Sequence, residues 1–305
     1  MAGTGSYDSS MRTISRTLAA TAPLAVLLAL TACGAPRDEA DDAADTASDA
    51  SETTAEACTK DSLETLTPGT LTIGTDSPAY EPWFVDDDPT NGEGYESAVA
   101  YAIAEQLGYT TDEVEWVTVP FNAVISPGEK RFDFDVNQVS ITEQRRKAVD
   151  FSSGYYDVRQ TVITNEGSAI DGATSIADLA DARLGAQVGT TSYTAITETI
   201  GTSEQPAAFD TNDQAVQSLK NGQIDGIVVD LPTAYFMTAV QLDKGKIVGQ
   251  LPLPGGDVEQ FGAVLDKDSP LTDCVSQAVD ALREDGTLDQ LASEWLEQQG
   301  APELS

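Results

Sequence analysis

Apolar residues recur along this chain in two periods. Short apolar, branch-rich runs mark strands at 71–75, 115–119, 134–141, 184–188 and 224–229. Between them the spacing turns helical. Residues 97–107 carry apolar side chains at helical intervals, and Gly108 supplies a C-terminal stop. A helical stretch at 121–126 is short, because Pro127-Gly128 breaks it. A strand at 184–188 runs through Gly189-Thr190-Thr191-Ser192 into another helix. Ala215, Val216 and Leu219 form a helix face closed by Asn221-Gly222, and Pro232 suits the first turn of the next. Two helices end the pattern, 272–284 and 287–298, the second with Thr287 as N-cap and Gln290 at the capping-box position. Strands alternating with helices predict an α/β protein built from βα units.

The first apolar run is of another kind. It spans Leu18 to Ala32, follows Arg12 and Arg16, and ends at Leu30-Thr31-Ala32-Cys33. A basic flank, a short apolar core and a small-residue exit read as a secretory signal peptide over residues 1–32, with Met11 as the expected true start. The run is short for a membrane span of about 20 residues. Its last four residues resemble the lipobox of bacterial lipoproteins, in which the cysteine becomes the first mature residue and is diacylated. By that resemblance Cys33 is the lipidation site, holding the protein to the membrane; the alternative is an ordinary signal peptide that ends at a cysteine. Two acyl chains are what stable anchoring needs. After Cys33, residues 34–57 hold eight acidic residues and one basic one among Ala, Ser and Thr. No core can form from them, so 33–58 reads as an acidic, disordered tether.

Charge and rare residues exclude whole classes. The 305 residues carry 51 Asp and Glu against 16 Lys and Arg, a formal charge of −35. That excess argues against a nucleic-acid partner, which needs a basic face. The charge fits either a saline habitat or compositional bias. With no histidine, Ser-His-Asp catalysis and His-based metal sites are out. Neither a metal nor a cofactor is expected. Two cysteines remain in the exported part, Cys58 and Cys274. They are expected to pair in a disulfide, with two separate buried thiols as the alternative.

Ligands of open α/β sheets bind beyond the carboxyl ends of the strands. Asp76 and Asp230 follow strands there. Thr190 and Thr191 lie between a strand and a helix start, where free N–H groups favour an anion. Ser140, Thr142 and Arg145 follow the 134–141 strand, and an arginine can hold a carboxylate through two parallel hydrogen bonds. One cation, anion-binding N–H groups and two carboxylates complement a zwitterion. No activated nucleophile and no phosphate loop accompany them, so no catalytic residue is assigned. Each piece has a plainer reading. Asp76 and Asp230 can be turn or helix caps. Thr190 can be only an N-cap. Arg145 can belong to a solvated basic face with Arg146 and Lys147, and Tyr80, Trp83, Phe84 and Phe121 can be core.

Several ordered stretches resemble the family 3 solute-binding proteins, the amino-acid-binding proteins of ABC importers, over about residues 68–298. They are Ile73-Gly74-Thr75-Asp76 with Tyr80-Glu81-Pro82-Trp83; Gly94-Tyr95-Glu96 through Gly108; Ser140 to Arg145 with Val149 to Ser152 and Tyr155; Gly189-Thr190-Thr191 with Tyr193; Leu219 to Asp230; and Leu282 to Trp295. The resemblance implies a two-lobed, type II periplasmic-binding-protein-like fold whose lobes are joined by two hinge strands. Lobe 1 would be 59–157 plus 257–305, and lobe 2 158–256. It also implies a ligand set. Arg145 clamps the α-carboxylate with Ser140 and Thr191, and Thr190 lies beside them. Asp230 takes the α-ammonium with the Gln138 carbonyl. Tyr80 and Phe121 flank the side chain, and Asp76 reaches it or the ammonium. Partners would be a free amino acid and the importer's permease subunits, with a monomeric protein on the outer face of the cell membrane.

The sequence departs from the family in places. Glu96 and Ala98 stand where many members carry Asp, a change expected to touch helix capping. One residue is inserted between Asp76 and Tyr80, and Asn137 and Gln138 replace small residues. Polar ligands such as glutamine or glutamate fit this pattern better than apolar ones. The competing classes are a dehydratase of the same fold acting on a cyclic amino-acid precursor, and a sensor that presents ligand to a receptor.

Overall fold

The strands pair into two five-stranded mixed sheets. The computed structural model describes residues 58–253, 258–296 and 300–305. The expected signal peptide, Cys33 and almost all of the expected tether lie outside the described residues. The first sheet runs β2-β1-β3-β10-β4, built from β1 (Leu71–Thr75), β2 (Val114–Thr118), β3 (Phe134–Asp135), β4 (Asp150–Val158) and β10 (Glu259–Leu265). The second runs β7-β6-β8-β5-β9, from β5 (Gln160–Asn165), β6 (Leu184–Gln187), β7 (Ala207–Phe209), β8 (Gly226–Asp230) and β9 (Gly245–Gln250). Each sheet is the centre of one lobe. The chain crosses once at Arg159, between β4 and β5, and returns between β9 and β10.

Helices cover both sheets: α1 (Tyr95–Gln106), α2 (Phe121–Val124), α3 (Thr191–Ala195), α4 (Asn212–Lys220), α5 (Leu231–Phe236), α6 (Thr272–Glu284) and α7 (Thr287–Trp295). All five residues of β1 are buried, as expected of a parallel strand covered on both faces. One face packs Ile73, Trp83, Tyr95, Phe134 and Phe261 into a core. The other packs Val124, Phe132, Phe151 and Val264. Lobe 2 repeats the arrangement around Val162 and Val228 on one face and Ile163 and Ile227 on the other. Trp83 and Phe84, both fully buried, belong to the core. Cys58 is bonded to Cys274, 216 positions away, so the expected pair forms.

Three expectations need correction. The strand expected over 134–141 stops at Asp135. Gln138 has φ +48°, which no extended strand tolerates, and beyond it only an isolated bridge joins Ser140 to Phe261. Thr287 is not the N-cap of the last helix. Gly286, at φ +84°, holds that position, because the chain turns directly out of α6, and the Thr287 N–H donates to Asp285 Oδ1 instead. The end of the chain does not stay with lobe 1. Gln250 N–H donates to the Pro302 carbonyl and Leu304 N–H to the Gln250 carbonyl. Leu304 is buried in the core of lobe 2.

Candidate functional site

A cavity between the lobes is lined by Asp76, Tyr80, Phe121, Gln138, Thr190 and Asp230, with Thr75, Asn137, Gln187, Ser192 and Asn212 beside them. Six of the nine expected ligand residues thus share one lining, contributed by both sheets. Thr191 lines a neighbouring cavity with Gln160 and Glu259.

Asp76 sits just past β1 and is already engaged. Its Oδ1 accepts from Ser77 N–H at 2.7 Å and its Oδ2 from Phe121 N–H at 3.1 Å. It therefore ties the end of β1 to the start of α2, a one-turn helix whose N-cap, Pro120, makes no side-chain cap. Phe121 is turned inward, with the Arg145 guanidinium 5.5 Å from its ring centroid, close enough for a cation–π contact. Burial, with Asp213 adding to it, pushes the Tyr80 phenol up to about 12.

Arg145, Ser140 and Thr191 meet across the two lobes. Arg145 donates to the Ser140 carbonyl at 2.6 Å and to the Gly189 carbonyl of lobe 2 at 3.0 Å. Ser140 Oγ and Thr191 Oγ1 lie 3.1 Å apart. Gly189 has φ +81°, and a Cβ there would stand 2.5 Å from Asn122 Oδ1 of lobe 1. Glycine is what lets the lobes approach at this point. Burial lowers the Arg145 guanidinium to about 10 while Glu259 and Asp230 oppose the shift, so it stays charged at neutral pH. Thr190 is the N-cap of α3, accepting from Tyr193 N–H at 3.1 Å. The plainer reading of Thr190 therefore holds, and it holds together with a place in the lining.

Asp230 ends β8 and precedes α5, yet its side chain makes no helix-cap bond. Its Oδ1 accepts instead from Gln160 Nε2 at 2.9 Å. Burial, helped by Glu259, raises its carboxyl to about 8. Gln160 is the junction here. Its amide also faces both Glu259 oxygens, at 3.2 and 3.3 Å, and its Oε1 accepts from Ser192 Oγ at 2.6 Å. Thr191 Oγ1 donates to Glu259 at 2.5 Å.

Gln160 and Glu259 were not legible in sequence. They flank the two crossings, 99 positions apart, and neither carries a motif. Gln138 departs from expectation in another way. It adopts a left-handed conformation, φ +48°, which costs a non-glycine residue about 1–2 kcal/mol. Its N–H donates to Glu96 Oε1 at 2.7 Å, its side-chain amide to Glu96 Oε2, and the Tyr155 hydroxyl to Glu96 Oε1. Glu96, fully buried, therefore holds the cavity loop and does not cap a helix: the N-cap of α1, Gly94, makes no side-chain cap bond.

No helix among the described residues is long and apolar enough to cross a membrane. The arginine-binding extracellular protein ArtP of Bacillus subtilis is 28% identical over 236 residues, 74% of this chain and 85% of that protein. The L-cystine-binding protein TcyJ of Escherichia coli is 26% identical over 230 residues, 74% of this chain and 82% of its own. Among solved structures, an ancestral arginine-binding protein bound to arginine superposes with a TM-score of 0.62 at 29% identity, covering 75% of this chain and 99% of that one. An ancestral arginine-binding protein bound to glutamine also gives 0.62 at 29%, covering 75% and 98%. These are likenesses in sequence and fold, each to a binding protein. The model of one family matches residues 71–298, both lobes of the fold described above, and the chain belongs to it: the bacterial extracellular solute-binding proteins, family 3.

Proposed function

We propose that this chain is the extracytoplasmic binding subunit of an amino-acid ABC importer, and that its ligand is an amino acid with a cationic side chain. Arg145, with Ser140 and Thr191, would hold the α-carboxylate, exchanging its contacts with the Ser140 and Gly189 carbonyls for it. Asp230 would take the α-ammonium, and Tyr80 and Phe121 would flank the side chain. The observation that carries the choice of ligand is the sign of charge in the cavity lining. Asp76 lines both the cavity and the adjoining space, Asp210 lines the latter, and no lysine or arginine among the described residues lines either one; Arg145 lies outside both linings, 5.5 Å from the Phe121 ring centroid. A glutamate side chain would meet carboxylates there, whereas a guanidinium or ammonium would be paired. This replaces the lean toward glutamine or glutamate; glutamine remains the neutral competitor. Contacts divided between lobes make closure part of binding, so ligand shifts the balance toward the closed form.

Two finer points belong to the same proposal. Acylated Cys33 would anchor the protein on the outer face of the membrane, with residues 34–57 as spacer, and the closed form would be presented to the permease. Palmitate labelling of the full chain in its host, lost in Cys33→Ser, tests the anchor. Thermal unfolding against the amino acids tests the ligand, since a molecule that binds only the folded state raises the melting temperature by mass action. Arginine or lysine should give the largest shift, lost in Arg145→Ala. A shift with glutamate and none with arginine would overturn the choice of ligand. No shift with any amino acid, in folded and ligand-free protein, would overturn the zwitterion reading.

A further inference from the structure

Glu96 has no place in the ligand set proposed above, yet it is fully buried and saturated with donors. Its two oxygens accept from the Gln138 N–H, the Gln138 side-chain amide and the Tyr155 hydroxyl. Two of these three bonds go to one residue. That residue lines the ligand cavity and sits at φ +48°, a conformation a glutamine does not hold unaided. We infer that Glu96 is a positioning residue for ligand binding: its carboxylate clamps Gln138 in the left-handed conformation, which sets the cavity loop for the ligand's ammonium. The inference rests on the amino-acid-binding reading.

The clamp needs the ionised form. A carboxylate accepts three hydrogen bonds, whereas a carboxylic acid must also place a proton of its own. All three contacts are donated to Glu96, so protonation removes the charge that strengthens them and adds an O–H that must find an acceptor of its own. Among the described residues, the ionisable groups facing Glu96 include no cation. Tyr95 is its neighbour on α1, Tyr155 comes from β4, Asp135 from β3 and Asp230 from the end of β8. Burial raises the Glu96 carboxyl to about 7, against the pull of its hydrogen bonds. The burial of both Glu96 and Asp230 then links ligand binding to two protons. Asp230 must ionise to meet the ammonium, and Glu96 must ionise to hold the loop.

The test is a proton inventory on the unaltered protein. Binding of arginine is measured calorimetrically at pH 5.5, 6.5 and 7.5 in buffers of different ionisation enthalpy. Release of clearly more than one proton per ligand is expected within this range; release of one or fewer throughout it overturns the inference. Glu96→Gln supplies a second reading. Its affinity at pH 8 should fall about tenfold, and its release at pH 6.5 should drop toward the single proton of Asp230. In a Gln138→Gly background the same substitution should cost much less, because glycine adopts positive φ without help. A Glu96→Gln protein that binds more weakly but keeps the wild-type proton count has a purely structural defect, and that too overturns the inference. Wild-type protein that binds no amino acid overturns the functional reading and this inference with it. Wild-type protein that binds while releasing a single proton overturns the inference alone.

Discussion

The indole N–H of Trp83, in the core of lobe 1, donates to Thr233 Oγ1 of lobe 2 at 2.9 Å, across 150 positions of sequence. Both residues are buried. Thr233 belongs to α5, the helix that begins immediately after Asp230. Trp83 is packed edge-on against Tyr95, Tyr156 and Phe261. The bond therefore joins the rigid centre of one lobe to the element that carries the proposed ammonium site of the other.

Thr233→Val keeps the shape of the side chain and removes the acceptor. A buried donor left without a partner costs about 1–3 kcal/mol. Because lobe separation would break this bond, the loss should fall on the closed form. The expected result is a ligand affinity lowered roughly 5–30-fold, the equivalent of about 1–2 kcal/mol, read by titration calorimetry. An unchanged dissociation constant would show that the contact contributes nothing to closure.

Asp230 predicts a pH dependence with a definite sign. Its folded, ligand-free carboxyl is raised to about 8, above the ordinary aspartate value near 3.9. The folded state therefore binds this proton more tightly than the unfolded one, so the contribution of Asp230 to stability declines as pH rises from about 4 to about 8. Ligand binding runs the other way, because the ammonium needs the carboxylate. Affinity should improve as pH rises from 6 to 8, while the melting temperature of ligand-free protein should not improve from this group. Titration calorimetry and thermal unfolding over that range separate the two. An affinity that is flat from pH 6 to 8 would contradict the role given to Asp230.

The Cys58–Cys274 bond closes a 216-residue separation and ties the start of the described chain to α6. The chain-entropy model gives roughly 5 kcal/mol for a loop of that size, less where the unfolded state keeps structure. Cys58→Ser, Cys274→Ser together should lower the melting temperature by many degrees while leaving affinity near wild type at a temperature where the protein is folded. A variant with an unchanged melting temperature would mean that the bond is absent or without effect.

The C-terminal residues offer a contrast of magnitudes. Leu304 is buried in the core of lobe 2, and Leu304→Ala should cost about 2–5 kcal/mol. Glu303 pairs with Arg159 at the first crossing, 2.7 Å apart, with the glutamate 60% exposed. Its removal should cost no more than about 1 kcal/mol. Denaturant unfolding of both variants checks the order. If Glu303→Ala proved the more damaging, the tail would act through the crossing and not through the core.

Much of the α/β order was legible because it depends on local pattern. β1, α4 and α6 appear close to where the periodicity placed them, since apolar spacing and flanking Gly or Asn act over a few residues. β4, β5, β9 and β10 did not stand out, as they are defined by partners far along the chain. The 134–141 run looked like one strand because its apolar spacing is strand-like. Gln138 breaks it because Glu96, 42 positions earlier, holds it in a left-handed turn. Asp76 was expected to serve the ligand, and the fold gives it a second task on the Phe121 N–H.

By itself the sequence determined which residue types could meet: an arginine after a strand, carboxylates after strands, hydroxyls at a helix start, no histidine, and an acid excess. Those are properties of composition and short spacing. Only the tertiary structure decided which of them meet. It brought Gly189 of one lobe to Arg145 of the other, set Gln160 between Asp230 and Glu259, buried Glu96 behind Gln138, and sent Leu304 across to lobe 2. Hydrogen bonds and burial between residues 40 to 150 positions apart made those choices, and their energies depend on distance in space, which local pattern does not encode.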